Sequence, residues 1–422
     1  MRVADVLRNR DFNLYWAGVV LSQIGTRGTV AANLYHVYHL TGSVAQTGLV
    51  GAGQAVALLV LSPLGGVLAD RWDRRRLLQA SQAVAMVVAA LLAVGTLAGR
   101  VTAWQVVVSV VLTTAAATFD QPARQALIPA LVPRHQLPQA FALINPSREF
   151  AVLLGPALAG VLIGLGGPGL MYAVDAVTYA ALAVALQLLR VSAVGGAGSD
   201  RSIWGQLVEG ARFVRHRRII WLLMTLDLSA TLFGAYRVVL PALCATVFHV
   251  GPQGYGVLSA APSAGALLAT YIVFRVVGRT RRLGQVLLAS TVLYGVATIA
   301  LAQAHVFAAA VVAGGFIGVF DAMATTIRHA AVQLETPDDL RGRVSALYQM
   351  SSRGGPAVGD TLVGLAAGAL GPVSALTLGG AVCALYAGSF VVRPNQVRRY
   401  QGVAAEEPAQ VPAQAKGPPG GP

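Results

Sequence analysis

Gly66-Val67-Leu68-Ala69-Asp70-Arg71-Trp72-Asp73-Arg74-Arg75-Arg76 ends in six charges over seven positions, and it lies between two long apolar runs, 44–69 and 77–99. Each run is apolar on all faces and reaches the ~20 residues a helix needs to cross the hydrocarbon layer. The charged stretch between them is therefore a loop in water at one membrane face. Reading outward gives twelve such runs: 12–40, 44–69, 77–99, 103–123, 139–165, 169–189, 219–247, 253–274, 284–304, 306–327, 343–370 and 372–392. None alternates as a barrel strand does, and lipid offers no partners for backbone N–H and C=O groups, so the runs are helices. Turn chemistry separates them, as in Thr41-Gly42-Ser43, Gly166-Gly167-Pro168-Gly169 and Gly371-Pro372. Composition agrees: of 422 residues, 55% are apolar and only 11% charged, against about a quarter charged in soluble domains. Two cysteines, Cys244 and Cys383, exclude a disulfide scaffold.

The basic residues set the orientation. Of 31 Lys and Arg, 26 fall at the termini and in alternate loops (including 70–76, 124–139, 190–218, 275–283 and 328–343), Arg100 alone falls on the other side, and Arg27, Arg148, Arg237 and Arg353 lie inside spans. The asymmetry puts both termini and the central loop in the cytoplasm, in a cell (inner or plasma) membrane. It also accounts for the +14 net charge, which points to anionic lipid headgroups and away from nucleic acid. The first apolar run is too long for a cleavable signal. The expected organisation is an N-terminal six-helix half (1–189), a cytoplasmic central loop (190–218), a C-terminal six-helix half (219–392) and a disordered tail (393–422). Within the loop, 202–215 repeats apolar residues at helical spacing and reads as an amphipathic helix on the inner membrane face.

The halves repeat one another. Arg75-Arg76-Leu77 matches Arg281-Arg282-Leu283, and Phe119-Asp120 matches Phe320-Asp321; Arg124, Pro133 and Gly160 match Arg328, Pro337 and Gly364 at an offset of 204. Six spans per half is an even number, so the halves share one orientation, the arrangement that places a site at their interface near the midplane.

Several motifs then carry a family resemblance. The 66–76 loop resembles the signature loop of the major facilitator superfamily, with Asp73 where the usual pattern has glycine. Gly155-Pro156-Ala157-Leu158-Ala159-Gly160 resembles the antiporter signature of its exporters. Arg237-Val238-Val239-Leu240-Pro241-Ala242-Leu243 and Thr336-Pro337-Asp338-Asp339-Leu340-Arg341-Gly342-Arg343 resemble the enterobactin-exporter-like branch, which Asp73 also suits. The resemblance covers 5–395 and implies an all-α fold of twelve membrane helices in two parallel six-helix halves. It further implies that spans 1, 4, 7 and 10 line the cavity.

Charges at bilayer depth are costly and mark function or pairing. Besides the four arginines they are Asp120, Glu149, Asp175, Asp227, Asp321 and Asp360. Asp120 and Asp321 occupy equivalent positions, where each could pair with the arginines of 71–76 or 279–282; Asp70 could meet the N-terminus of span 11. The resemblance implies that Asp70, Arg71, Arg74, Arg75, Asp120 and Asp321 form a latch stabilising the outward-facing state. Glu149 and Asp227, about ten and nine residues into their spans, are candidate proton carriers or fixed ion-pair partners. Arg27, Arg237 and Arg353 are the available counter-charges, and Arg353 shares a face with Asp360, seven positions on. Gly155, Pro156 and Gly160 permit close helix contact and a bend. His36 and His39 read as interfacial, with no metal site.

Lys416 is the only lysine, so there is no phosphate loop. No His-Glu-x-x-His, Cys-x-x-Cys or Gly-x-Ser-x-Gly occurs, so nothing points to an enzyme or a bound cofactor. The expectation is a monomeric secondary transporter exporting small amphipathic compounds, drug-like or siderophore-like, by alternating access with proton antiport. An importer or uncoupled facilitator of this fold, or a lipid-handling or sensor protein, are the alternatives.

Overall fold

The computed structural model describes residues 3–71, 73–190, 203–277, 280, 282–392 and 395–401. Its helices are α1 (Arg10–Thr41), α2 (Val44–Arg71), α3 (Arg74–Leu97), α4 (Ala103–Leu131), α5 (Leu137–Gly166), α6 (Pro168–Leu188), α7 (Ile203–His216), α8 (Arg218–Phe233), α9 (Leu240–Thr246), α10 (Pro252–Val277), α11 (Leu283–Ala302), α12 (Phe307–Leu334), α13 (Arg341–Leu370) and α14 (Pro372–Val392). With α8 and α9 forming one crossing, these make the twelve membrane helices plus the amphipathic α7. Among the described residues, ten segments are long and apolar enough to cross by composition alone. The two that fall short are α1, diluted by Asn13, Gln23 and Arg27, and α13, diluted by Gln349, Arg353 and Asp360. Both line the polar interior.

Local chemistry explains the ends. The Asp73 carboxylate accepts the Arg76 N–H at 2.9 Å and caps α3, a role glycine could not fill. Gly167 and Gly371, 204 residues apart, take positive φ (75° and 85°) ahead of Pro168 and Pro372, which start α6 and α14.

Three features differ from the sequence expectation. Helices α4 and α12 run on to Leu131 and Leu334, so Arg124 and Arg328, placed by sequence in loops, are helical and buried. An arginine looks like the end of a span, yet each finds an acid inside its own half. The seventh crossing is broken between Phe233 and Leu240, with a short 3-10 turn at Arg237–Val239. Gly234 ends the first piece and its carbonyl accepts the Tyr294 hydroxyl at 2.8 Å; Pro241 opens the second, where a missing N–H costs nothing. Finally, 395–401, expected in a disordered tail, folds back on α11: Val397 is buried and the Tyr400 carbonyl accepts the Gly284 N–H at 2.9 Å. The amphipathic α7 docks on α13, with Glu209 paired to Arg343 at 2.6 Å.

In the first half α1 packs on α5 and α6, α2 on α4, and α3 on α4 and α6; in the second, α10 packs on α12, and α11 on α12 and α14. The halves join through α2 with α13 and α5 with α10. These contacts are glycine on glycine. A Cβ added to Gly160 would lie 2.6 Å from the Gly256 Cα, and one added to Gly364 would lie 2.7 Å from the Gly48 Cα. Gly160 and Gly364 are repeat equivalents, so one contact is used twice about a pseudo-two-fold axis. All four glycines lie toward the end carrying the α1–α2 and α5–α6 turns.

The buried apolar residues are distributed accordingly. At that end one cluster draws on both halves, with Val37, Val106, Ile163 and Tyr172 beside Leu243, Tyr255, Leu301 and Leu376. At the opposite end, which carries the start of α1, the cores are separate: Phe12, Tyr15, Leu78 and Leu127 in the first half, Ile220, Leu223, Leu288 and Ile327 in the second. The two halves are thus sealed together at one end and packed independently at the other.

Candidate functional site

The polar interior is built from three ion pairs and one cluster of cations. In the first half, Asp120 contacts the Arg124 guanidinium at 2.5 Å and accepts the Gln82 amide at 2.8 Å. Ser22 closes this network, with its hydroxyl 3.3 Å from Gln82 and 3.4 Å from Arg124. In the second half, Arg328 of α12 pairs with Asp227 of α8, and both are almost fully buried. The repeat relates the two arrangements: Ser22 and Asp227 differ by 205, Arg124 and Arg328 by 204. In both halves the arginine of the fourth crossing holds the first crossing at the same level. Neither arginine was singled out for the site from sequence, although Arg124 stands four residues after Asp120, the spacing of a helical ion pair.

The third pair crosses the break. Arg237, at the turn between α8 and α9, donates to the Asp360 carboxylate of α13 at 2.8 Å; the Arg237 side chain remains 35% exposed while Asp360 is 4% exposed. Irregular backbone at membrane depth is tolerated where protein buries it or it lines a cavity, and Val238 and Val239 in this turn are fully buried.

Arg27 of α1 lies within electrostatic reach of Arg148, Glu149, Arg237 and Arg353, and Arg353 within reach of Arg148. The four arginines inside spans thus converge from α1, α5, the α8–α9 turn and α13. Arg148, Glu149 and Arg353 are exposed, Arg27 is half-buried, and Asp321 of α12 is exposed within reach of Arg237. Gly155 lets α1 come close enough for this: its added Cβ would stand 2.5 Å from the Arg27 Cβ. Pro156 has no N–H for the Val152 carbonyl, and Ser263 of α10 donates to that carbonyl at 3.2 Å. With Gly160 on Gly256, Pro156 and Gly160 line the joint between the halves, while Gly155 packs on α1 within the first half.

The pairings expected of Asp120 and Asp321 are not the ones seen among the described residues. Asp120 meets Arg124 and Gln82 instead of the loop arginines, because an i,i+4 partner on its own helix is already in place. Asp321 faces the Arg237 region, while Arg279 and Arg281 lie outside the described residues or side chains, as do the side chains of Asp70 and Arg71. Arg74 donates to the Ala126 carbonyl at 3.3 Å and Arg75 to the Gln187 carbonyl at 2.8 Å, tying α3 to α4 and α6. His36 is satisfied by the Tyr172 hydroxyl at 3.1 Å, and among the described residues no His, Cys, Asp and Glu group could hold a metal.

Residues 4–416 match the family described as transmembrane secretion effector. The chain belongs to the transmembrane secretion effector family. It is 26% identical over 342 residues to the enterobactin exporter EntS of Salmonella choleraesuis, covering 81% of this chain and 82% of that one. To the staphyloferrin A transporter of Staphylococcus aureus it is 25% identical over 372 residues, covering 87% and 90%. Its fold resembles the nucleoside transporter NupG, with a TM-score of 0.71 at 15% identity over 90% of this chain and 98% of that one. The chain is therefore a multi-pass membrane transporter of the major facilitator type. The family and its relatives are transporters, not enzymes.

Proposed function

We propose that this protein exports a small amphipathic compound, siderophore-like in character, by alternating access coupled to inward proton flow. One observation carries the reading: a single apolar core unites the halves at one end, and two separate cores serve the other, with the charged groups midway between. Such a bundle is closed on one side and open on the other. The glycine contacts of α5 with α10 and α2 with α13 form a seam narrow enough to part without leaving bulky side chains stranded. The basic loops support placing the open end and both termini in the cytoplasm of a cell-membrane protein working as a monomer among anionic lipids. Outward export of a siderophore-like cargo is supported by the enterobactin and staphyloferrin A relatives.

For the proton, the two candidate carboxylates separate. Asp227 is enclosed with Arg328, which holds it as a fixed partner. Glu149 is exposed, with neither a salt bridge nor a hydrogen bond among the described residues, and it lies within electrostatic reach of Arg27. Of the two it is the carboxylate without a fixed partner, so we assign the coupling role to Glu149. In inverted vesicles, an imposed pH gradient is expected to drive accumulation of an amphipathic fluorescent dye, and Glu149→Gln to remove the gradient-dependent part while the protein stays folded. Equal accumulation with and without the gradient in the wild type would make the protein a facilitator.

A further inference from the structure

Four arginines at mid-depth on four helix segments are more cations than the cavity's acids hold. Arg237 is served by Asp360 and lies near Asp321. Arg27, Arg148 and Arg353 make no salt bridge and no hydrogen bond among the described residues, and the acid in their midst is Glu149. Each is close to the centre of its helix: position 27 in Arg10–Thr41, 148 in Leu137–Gly166 and 353 in Arg341–Leu370. Like charges held close together repel. Ionisable groups inside spans face the bundle interior or a water-filled path and mark substrate and ion pathways. Guanidinium is suited to the task because its planar fork matches carboxylate, phenolate or phosphate oxygens two at a time. The apolar wall needed for the rest of an amphipathic molecule is nearby, in half-buried Tyr236 and Phe320.

We propose that the cargo is an organic anion whose acidic groups are held by Arg27, Arg148 and Arg353, a reading that rests on the cavity being the cargo site.

The test uses two fluorescent dyes of one ring system and opposite charge, 5-carboxyfluorescein as the anion and rhodamine 6G as the cation. Binding to the full chain in detergent is followed by fluorescence polarisation. We expect 5-carboxyfluorescein to bind and rhodamine 6G not to bind. Arg148→Gln and Arg353→Gln should each weaken 5-carboxyfluorescein about tenfold, one charge-assisted hydrogen bond's worth. Arg353→Lys, which keeps the charge if the glutamine variant does not fold, should retain most of the binding, and Arg100→Gln, on the far face, should leave it unchanged. Binding of rhodamine 6G instead, unaltered binding in the variants, or no binding of either dye would overturn the proposal. Movement in proteoliposomes is read separately: an anion that binds and is not moved contradicts the transport reading and leaves anion selectivity standing.

Discussion

Asp227→Asn is expected to destabilise the protein by about 3–5 kcal/mol, the range for removing one partner of a buried ion pair. The cause is Arg328, 1% exposed, which would be left as an uncompensated cation between α8 and α12. Arg328→Met should cost as much, since it strands the Asp227 carboxylate. Combining Asp227→Leu with Arg328→Met removes both charges and should recover most of the loss, because a buried pair exchanged for apolar groups of similar size is often neutral. Thermal unfolding in detergent micelles, followed by intrinsic fluorescence, checks all three. If the single variants unfold with the wild type, the pair does not hold the second half together. The equivalent first-half pair is less demanding, because Asp120 and Arg124 also have Gln82 and Ser22, so Asp120→Asn should cost about 1–3 kcal/mol.

Gly160→Val is expected to change function more than stability. Its first added carbon would stand 2.6 Å from the Gly256 Cα, a backbone atom that cannot rotate away, and 2.8 Å from the Pro252 carbonyl oxygen. α5 and α10 must then separate by more than an ångström, opening the seam at the sealed end. Overpacking of this kind costs about 1–3 kcal/mol, yet the separate cores at the other end are untouched. Cysteines engineered near the α5–α6 turn should become more reactive to a membrane-impermeant thiol reagent, and dye accumulation should fall severalfold. Gly364→Val should reproduce both effects at the symmetric contact with Gly48. Unchanged labelling in both variants would mean that the glycine seam is not what closes that end.

The helices were legible because a membrane segment is nearly all apolar and its ends are marked by charge, glycine or proline; α13 and α14 begin and end within two residues of the expected bounds. The same rule failed where an arginine was structural. Arg124 and Arg328 read as span ends, and only the packing of α4 and α12 reveals the acids that keep them inside. The break at Gly234 was hidden because its flanks are apolar and continuous in sequence. At the site, cost at bilayer depth was enough to flag Arg27, Glu149, Arg237, Arg353 and Asp360 individually. What sequence could not give was their partners. Arg237 and Asp360 are 123 positions apart, and nothing local joins Arg27 to Arg148. The repeat came nearest, since its 204-residue offset already linked Gly160 with Gly364 and Arg124 with Arg328. It named equivalent positions without saying what they touch.

The central claim is that the seam between the halves must open for cargo to cross. Ala45 of α2 and Gly368 of α13 face each other across it, a Cβ on Gly368 lying 2.7 Å from the Ala45 Cβ. In a background with Cys244 and Cys383 changed to alanine, Ala45→Cys with Gly368→Cys can be oxidised once α2 and α13 part by about 1 Å, to the ~3.8 Å between Cβ atoms that a disulfide spans, and the bond then prevents this end from opening further. Gradient-driven dye accumulation in vesicles should then be lost on oxidation and return on reduction, with each single cysteine variant indifferent to both treatments. Undiminished accumulation with the disulfide fully formed would contradict alternating access through this seam.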